Sequence, residues 1–247
     1  QLLLERVSAA DDRGLAALRE VSLNVRGGEI FGIAGVDGNG QDELFDVLTG
    51  LRPTSAGRIA IGGAEVRRPT PAAMIDAGVA CVPPDRQRQG VVPAMSVQEN
   101  AVLNARLLHA CAGRWLTDPA AQRAAASGMV DAYAIKVGAL DAPVRGLSGG
   151  NLQKLIVARA LATTPRVLVA ANPTRGLDIA AARAVYAALD AALARGAAVL
   201  LIASDLDEIV ARCDHLAVLY RGRLSSTLER PFPTDRLAAL MAGSDGR

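Results

Sequence analysis

Apolar positions in this chain fall into short runs closed by glycine turns, with helical spacings between them. Alternation over residues 2–7 and 21–25 predicts two half-buried strands, and a turn at Gly27 and Gly28 leads into a continuous apolar run over 30–34. That run predicts a buried strand. Leu44, Val47, Leu48 and Leu51 then recur at helical spacing and predict a helix over 43–51. A strand pair is expected at 57–61 and 64–66 and a buried strand at 79–82. From residue 83 to about 146 the composition turns to Gln, Arg, Ala and scattered Pro, with helical periodicity over 97–108 and 120–133. Runs apolar on both faces return at 167–171 and 199–203, as central parallel strands require, with helices over 151–162 and 180–195 between them. The expectation is one α/β domain over 1–247. Its core would lie at about 1–82 and 147–247, with a small antiparallel β layer near the start and an inserted helical subdomain at about 83–146. No internal repeat or low-complexity tract interrupts the alternation.

With 247 residues, 51% hydrophobic and 21% charged, the chain can bury a sizeable core. Aromatics at 3% argue against a stacking platform for single-stranded nucleic acid. A net charge of +2, spread without blocks of like charge, removes the electrostatic footprint of a DNA or RNA binder. Cys81, Cys111 and Cys213 are odd in number and widely spaced, so they are expected to be buried free thiols in a reducing compartment. Two histidines, His109 and His215, do not make a zinc constellation, and no metal site of the protein's own is expected. No apolar run reaches the ~18 residues a membrane span needs, so a soluble chain is expected. The chain opens at Gln1 and enters a strand almost at once, the start expected of a piece of a longer polypeptide or of a trimmed one.

Candidate chemistry begins where the strand at 30–34 meets the helix at 43–51. Gly35, Gly38 and Gly40 lie between them, and a strand, glycine loop and helix in that order form the context in which backbone N–H groups cradle phosphate. Such a loop also supplies a Lys for the β and γ phosphates and a Ser or Thr for Mg²⁺, and here Gln41 and Asp42 stand at those positions. At ~4 Å and an effective dielectric near 20, a unit-charge interaction amounts to roughly 4 kcal/mol, so losing a cation and gaining an anion should weaken triphosphate binding severely. On the glycines alone, a plain strand-to-helix turn is an equal reading.

A second segment decides between them. Leu147, Ser148, Gly149, Gly150, Asn151, Leu152, Gln153 and Lys154 run in a row ahead of Ala158, Arg159, Ala160 and Leu161, and this resembles the signature motif of ABC ATPases. Residues 167–178, ending in Asn172, Pro173, Thr174, Arg175, Gly176, Leu177 and Asp178, resemble that family's Walker B strand and D-loop. The resemblance spans about 2–228 and is closest to the second, degenerate ATP-binding half of tandem-domain importers for simple sugars and nucleosides. Ala171 leans it towards the nucleoside branch.

The resemblance implies a P-loop NTPase-type (RecA-like) core with nucleotide at Gly35, Gly38, Asn39, Gly40, Gln41 and Asp42. It also implies several departures. Ala171 and Asn172 stand where the family carries the Mg²⁺ aspartate and the water-positioning glutamate. Ser204 stands for the switch histidine, and Pro84 lies at or next to the Q-loop glutamine. No clear aromatic precedes the loop to stack on adenine. These departures beside an intact signature imply a half-site: an inert own ATP site, and a signature (Leu147, Ser148, Gly149, Gly150, Asn151, Gln153) that completes the site of a second ABC domain. The implied cofactors are ATP and Mg²⁺ in the assembled dimer. The implied partners are that second domain, in line on the same polypeptide, permease subunits and, indirectly, a substrate-binding protein, at the cytoplasmic face of the inner membrane. Residues 83–115 would dock on the permease. A non-catalytic docking module of ABC fold and a soluble ABC ATPase outside transport are the alternatives.

Overall fold

The structure, a computed structural model, describes residues 1–112 and 117–243. In chain order its first elements are β1 (Leu2–Ala10), β2 (Ala16–Val25), β3 (Ile30–Ala34), α1 (Gln41–Thr49), β4 (Ala56–Ile61), β5 (Ala64–Glu65), α2 (Pro71–Ala77) and β6 (Val79–Val82). Helices α3 (Val97–Ala101), α4 (Ala105–Ala110), α5 (Pro119–Ala132) and α6 (Gly149–Ala162) follow. The chain continues through β7 (Val167–Ala171), α7 (Ile179–Ala194), β8 (Ala198–Ala203), α8 (Leu206–Arg212), β9 (His215–Tyr220), β10 (Arg223–Leu224), β11 (Leu228–Glu229) and α9 (Thr234–Met241).

Two units divide these elements. The first holds residues 1–81, 166–172 and 193 onward; the second holds 82–165 and 173–192. In the first unit β2-β1-β4-β5 form an antiparallel sheet, and a larger sheet runs β10-β9-β3-β8-β7-β6 with β11 on β9. β3 pairs parallel with both β8 and β9, and β7 pairs parallel with β8. Every residue of β3, β7 and β8 is buried, which is why these strands read as unbroken apolar runs and not as alternation. A single apolar cluster joins Leu2, Val21 and Val25 of the antiparallel sheet to Ile33, Leu44, Leu48, Val169 and Leu200. It fixes the end of β3 and the start of α1, between which the glycine loop lies.

The second unit is helical. Its centre is Asn100, fully buried and bonded on every side: Oδ1 accepts from Val92 N–H (2.9 Å), and Nδ2 donates to the carbonyls of Val92 (3.1 Å), Met95 (3.3 Å) and Ser96 (3.0 Å). A buried amide so satisfied locks the loop 90–96 onto α3. Arg159 of α6 donates to the carbonyls of Asn100 (3.1 Å) and Gly90 (2.6 Å) and ties the same loop to the signature helix.

The one helix expected over 97–108 is two. Asn104 takes an extended backbone (φ −152°) and its side chain accepts from Arg106 N–H, so it ends one helix and caps the next. β1 and β2 run longer than the alternation indicated, because bulges between Leu4 and Ala10 shift the register and break the period. Of the expected buried thiols, Cys111 and Cys213 are buried, whereas Cys81 is only half-buried. In the segment expected to dock on a permease, Gly113, Arg114 and Trp115 lie outside the described residues.

Candidate functional site

β3 ends at Ala34, and the chain turns into α1 through Gly38 (φ 87°) and Gly40 (φ 113°), a left-handed path that side chains resist. The loop satisfies its polar groups from within. Gln41 Oε1 accepts from Asn39 N–H (3.0 Å), and Gln41 Nε2 donates to the Val36 carbonyl (2.9 Å), which also accepts from Asn39 Nδ2 (2.8 Å). Asn39 in turn holds the turn after β9, its Oδ1 accepting from Arg221 N–H (2.9 Å) and its carbonyl from Gly222 N–H (2.9 Å). Gly35 is buried beneath the Gln41 amide, and a Cβ there would stand 2.5 Å from Gln41 Nε2. Asp42 is exposed in the first turn of α1, where the helix dipole favours a carboxylate.

This loop differs in several respects from one built for a Mg²⁺-bound triphosphate. One N–H that such a loop aims at phosphate, that of Asn39, is already taken by the Gln41 side chain. The position of the phosphate-binding lysine carries an amide bent back onto the loop, and Asp42 adds a repelling charge. Ala171 closes β7 with a methyl group that is 3% exposed and offers no metal ligand. Asn172 follows at φ 45°, its N–H donating to the Ile202 carbonyl (2.7 Å) and its Oδ1 accepting from Ser204 N–H (3.2 Å). The structure thus brings together the two positions expected for the catalytic carboxylate and the switch imidazole, and bonds them to each other. Phe31, the one aromatic ahead of the loop, is buried and stacked on His215 with ring centroids 6.5 Å apart. Burial pushes the Cys213 thiol up to about 12, which makes it inert.

In the second unit the signature residues open α6. Ser148 is the N-cap: its Oγ accepts from Asn151 N–H (3.4 Å) and from Asn151 Nδ2 (2.9 Å), and the residue is exposed. Asn151 Oδ1 accepts from Lys136 N–H (2.9 Å), which ties the cap to the chain after α5. Gln153 is buried, Leu147 and Gly149 are half-buried, and Gly150 faces α7, where a Cβ would meet Ala181 Cβ at 3.0 Å. Asp178 caps α7, its Oδ1 accepting from Ala181 N–H (2.8 Å). Pro84 is half-buried in the turn that follows β6. Arg86, which lies in the run Val82, Pro83, Pro84, Asp85, Arg86 that also resembles the importer family, has no role legible in the sequence; its Nη1 donates to the Arg175 carbonyl (2.7 Å), and no spacing rule pairs residues so distant in the chain.

A parallel sheet with a glycine loop after its first core strand, an antiparallel side sheet and a helical unit carrying a capped signature helix define an ATP-binding cassette. The family profile described as "ABC transporter" matches residues 18–175, and the chain belongs to that family. Nucleotide and Mg²⁺ use is general to its fold. Among curated proteins the chain is 41% identical over 245 residues to the glucose import ATP-binding protein TsgD13 of Haloferax volcanii, covering 98% of this chain and 44% of that protein. It is 36% identical over 244 residues to the guanosine import ATP-binding protein NupO of Bacillus subtilis, covering 98% and 48%. The chain therefore spans about half the length of the curated relatives it matches. Among solved structures it resembles the dimeric post-hydrolysis state of the ATP-binding cassette MJ0796 bound to ADP and Pi, with a TM-score of 0.78, 20% identity and coverage of 94% of this chain and 100% of that one. The expected α/β P-loop fold, with its antiparallel layer and helical segments, is the fold observed.

Proposed function

We propose that this chain is the energy-coupling ATP-binding domain of an importer for simple sugars or nucleosides, and that it works as a half-site. Its own loop stays inert, while its signature completes the ATP site of a second ABC domain. The observation that carries the reading is the Gln41 amide turned into the glycine loop of the first unit, while the second unit keeps an exposed Ser148 at the start of α6. A site filled by its own side chain has no use for a lysine. The N-terminus of a 14-residue helix, capped by a hydroxyl and beginning with two glycines, offers N–H groups and a dipole to an anion held by a second domain. The relatives named for glucose and guanosine import support the substrate class. As half of a longer arrangement, the partner domain sits on the same polypeptide, and the pair works peripherally at the cytoplasmic face of the membrane with permease subunits and a substrate-binding protein. No helix among the described residues is long and apolar enough to cross a membrane itself.

The permease contact falls on the segment after β6. Val92, Met95 and Leu103 are 40%, 38% and 37% exposed there, around the loop that Asn100 fixes. Exposed apolar side chains on a rigid support suit a docking surface. Single cysteines at positions 92, 95 and 103 are expected to crosslink to the permease in the assembled importer, while one at the exposed Leu15 of the other unit is not. Absence of product at all three positions contradicts docking through this segment.

A further inference from the structure

We propose that Arg86 is a positioning residue: it braces the signature and the turn 173–178 into one rigid piece, so that the two move together when the domains close around nucleotide. The proposal rests on the signature acting in trans. It begins with Asp85, whose Oδ1 accepts from the N–H groups of Gln87 (3.0 Å) and Arg88 (3.0 Å) and whose carbonyl accepts from Gln89 N–H (2.9 Å) and Gly90 N–H (3.2 Å). That self-bonded turn fixes the backbone from which Arg86 projects. Gly90 seats the turn on α6, since a Cβ there would lie 2.6 Å from the Arg86 carbonyl and 2.5 Å from Ile156 Cδ1.

From this base the guanidinium reaches two separate segments. Nη1 donates to the Arg175 carbonyl (2.7 Å), and Nη2 lies where a Cβ on Gly149 would be 3.1 Å away and one on Gly176 would be 3.6 Å away. The planar fork therefore rests on the bare backbone of the first residue of α6 and on the turn that Asp178 ends. A cation near a helix N-terminus is disfavoured by the dipole, so charge attraction to α6 does not explain the placement; the carbonyl bond and the packing on two glycines do. Lysine, with a point charge and no plane, cannot hold a carbonyl and cover both glycines at once.

Two measurements test the brace. In hydrogen exchange on this chain, Arg86→Ala is expected to raise exchange in both 147–152 and 173–178 while leaving β7 and β8 unchanged. Change in only one segment, or in neither, overturns the proposal. In the assembled importer, Arg86→Ala is expected to lower kcat about tenfold with KM for ATP within about twofold, because the partner's loop still holds the nucleotide while closure loses its geometry. Arg86→Lys should fall between. A loss of this kind with an unchanged melting temperature supports positioning. Wild-type kcat in Arg86→Ala, where Ser148→Arg abolishes turnover, overturns the brace alone. Wild-type turnover in both variants overturns the trans reading and the brace with it.

Discussion

Ser148→Arg is expected to lower ATP hydrolysis by the assembled domain pair at least ~100-fold, the scale on which losing one preorganised donor to a developing charge is felt. Ser148 caps α6 and is exposed, so the substitution meets no packed core. The lost cap costs about 1 kcal/mol, which a domain of this size tolerates. What changes is the shape at the start of the helix. Ser148 carries a small hydroxyl at the exposed start of the helix, and an arginine there would fill the space into which a partner's nucleotide must fit for the domains to close. Circular dichroism should show a folded variant, and ATPase assay of the reconstituted importer should show the loss. Turnover at the wild-type level would leave the signature without a role and favour a docking module of ABC fold.

Gly222→Ala is expected to destabilise the first unit by more than ~3 kcal/mol, the range of a buried clash combined with a strained backbone. Gly222 holds φ 76°, and a Cβ on it would fall well inside contact distance of the Ala17 carbonyl. Nothing nearby is the soft end of a side chain. Relief requires the turn to move, and the same backbone donates to the Asn39 carbonyl (2.9 Å) and accepts from Arg19 N–H (2.8 Å). The clash therefore reaches the glycine loop through Asn39. A drop in melting temperature on the order of 10 °C is expected, with faster exchange at 38–41. An unchanged melting temperature would mean that the turn after β9 does not hold the loop.

The central strands were legible because burial on both faces leaves a continuous apolar run, and the glycine loop was legible because strand and helix patterns flank it. The signature helix announced itself through Ser148 and the glycines that follow. Two further helices carry start signals of their own. Thr70 followed by Pro71 marks the start of α2, and Asp205 ahead of Asp207 and Glu208 marks α8. The break at Asn104 was masked by apolar spacing that continues across it. The site itself was half legible. The identities at Gln41, Asp42, Ala171, Asn172 and Ser204 mark departures from the family's pattern, but do not show that the Gln41 amide bonds within the loop or that Asn172 bonds to Ser204. Those contacts depend on tertiary placement, as does the reach of Arg86 to Arg175 across the helical unit.

The central claim is that the loop from Gly35 to Asp42 is filled by its own glutamine and is not a working nucleotide site. Calorimetric titration of this chain with ATP, with and without Mg²⁺, tests it most directly. The account predicts heats too weak to saturate at millimolar nucleotide, unchanged by Mg²⁺, and no hydrolysis above background. Saturable binding at micromolar ATP that requires Mg²⁺ and is lost in Asp42→Ala would contradict it, and would show that the Gln41 amide yields its place to phosphate.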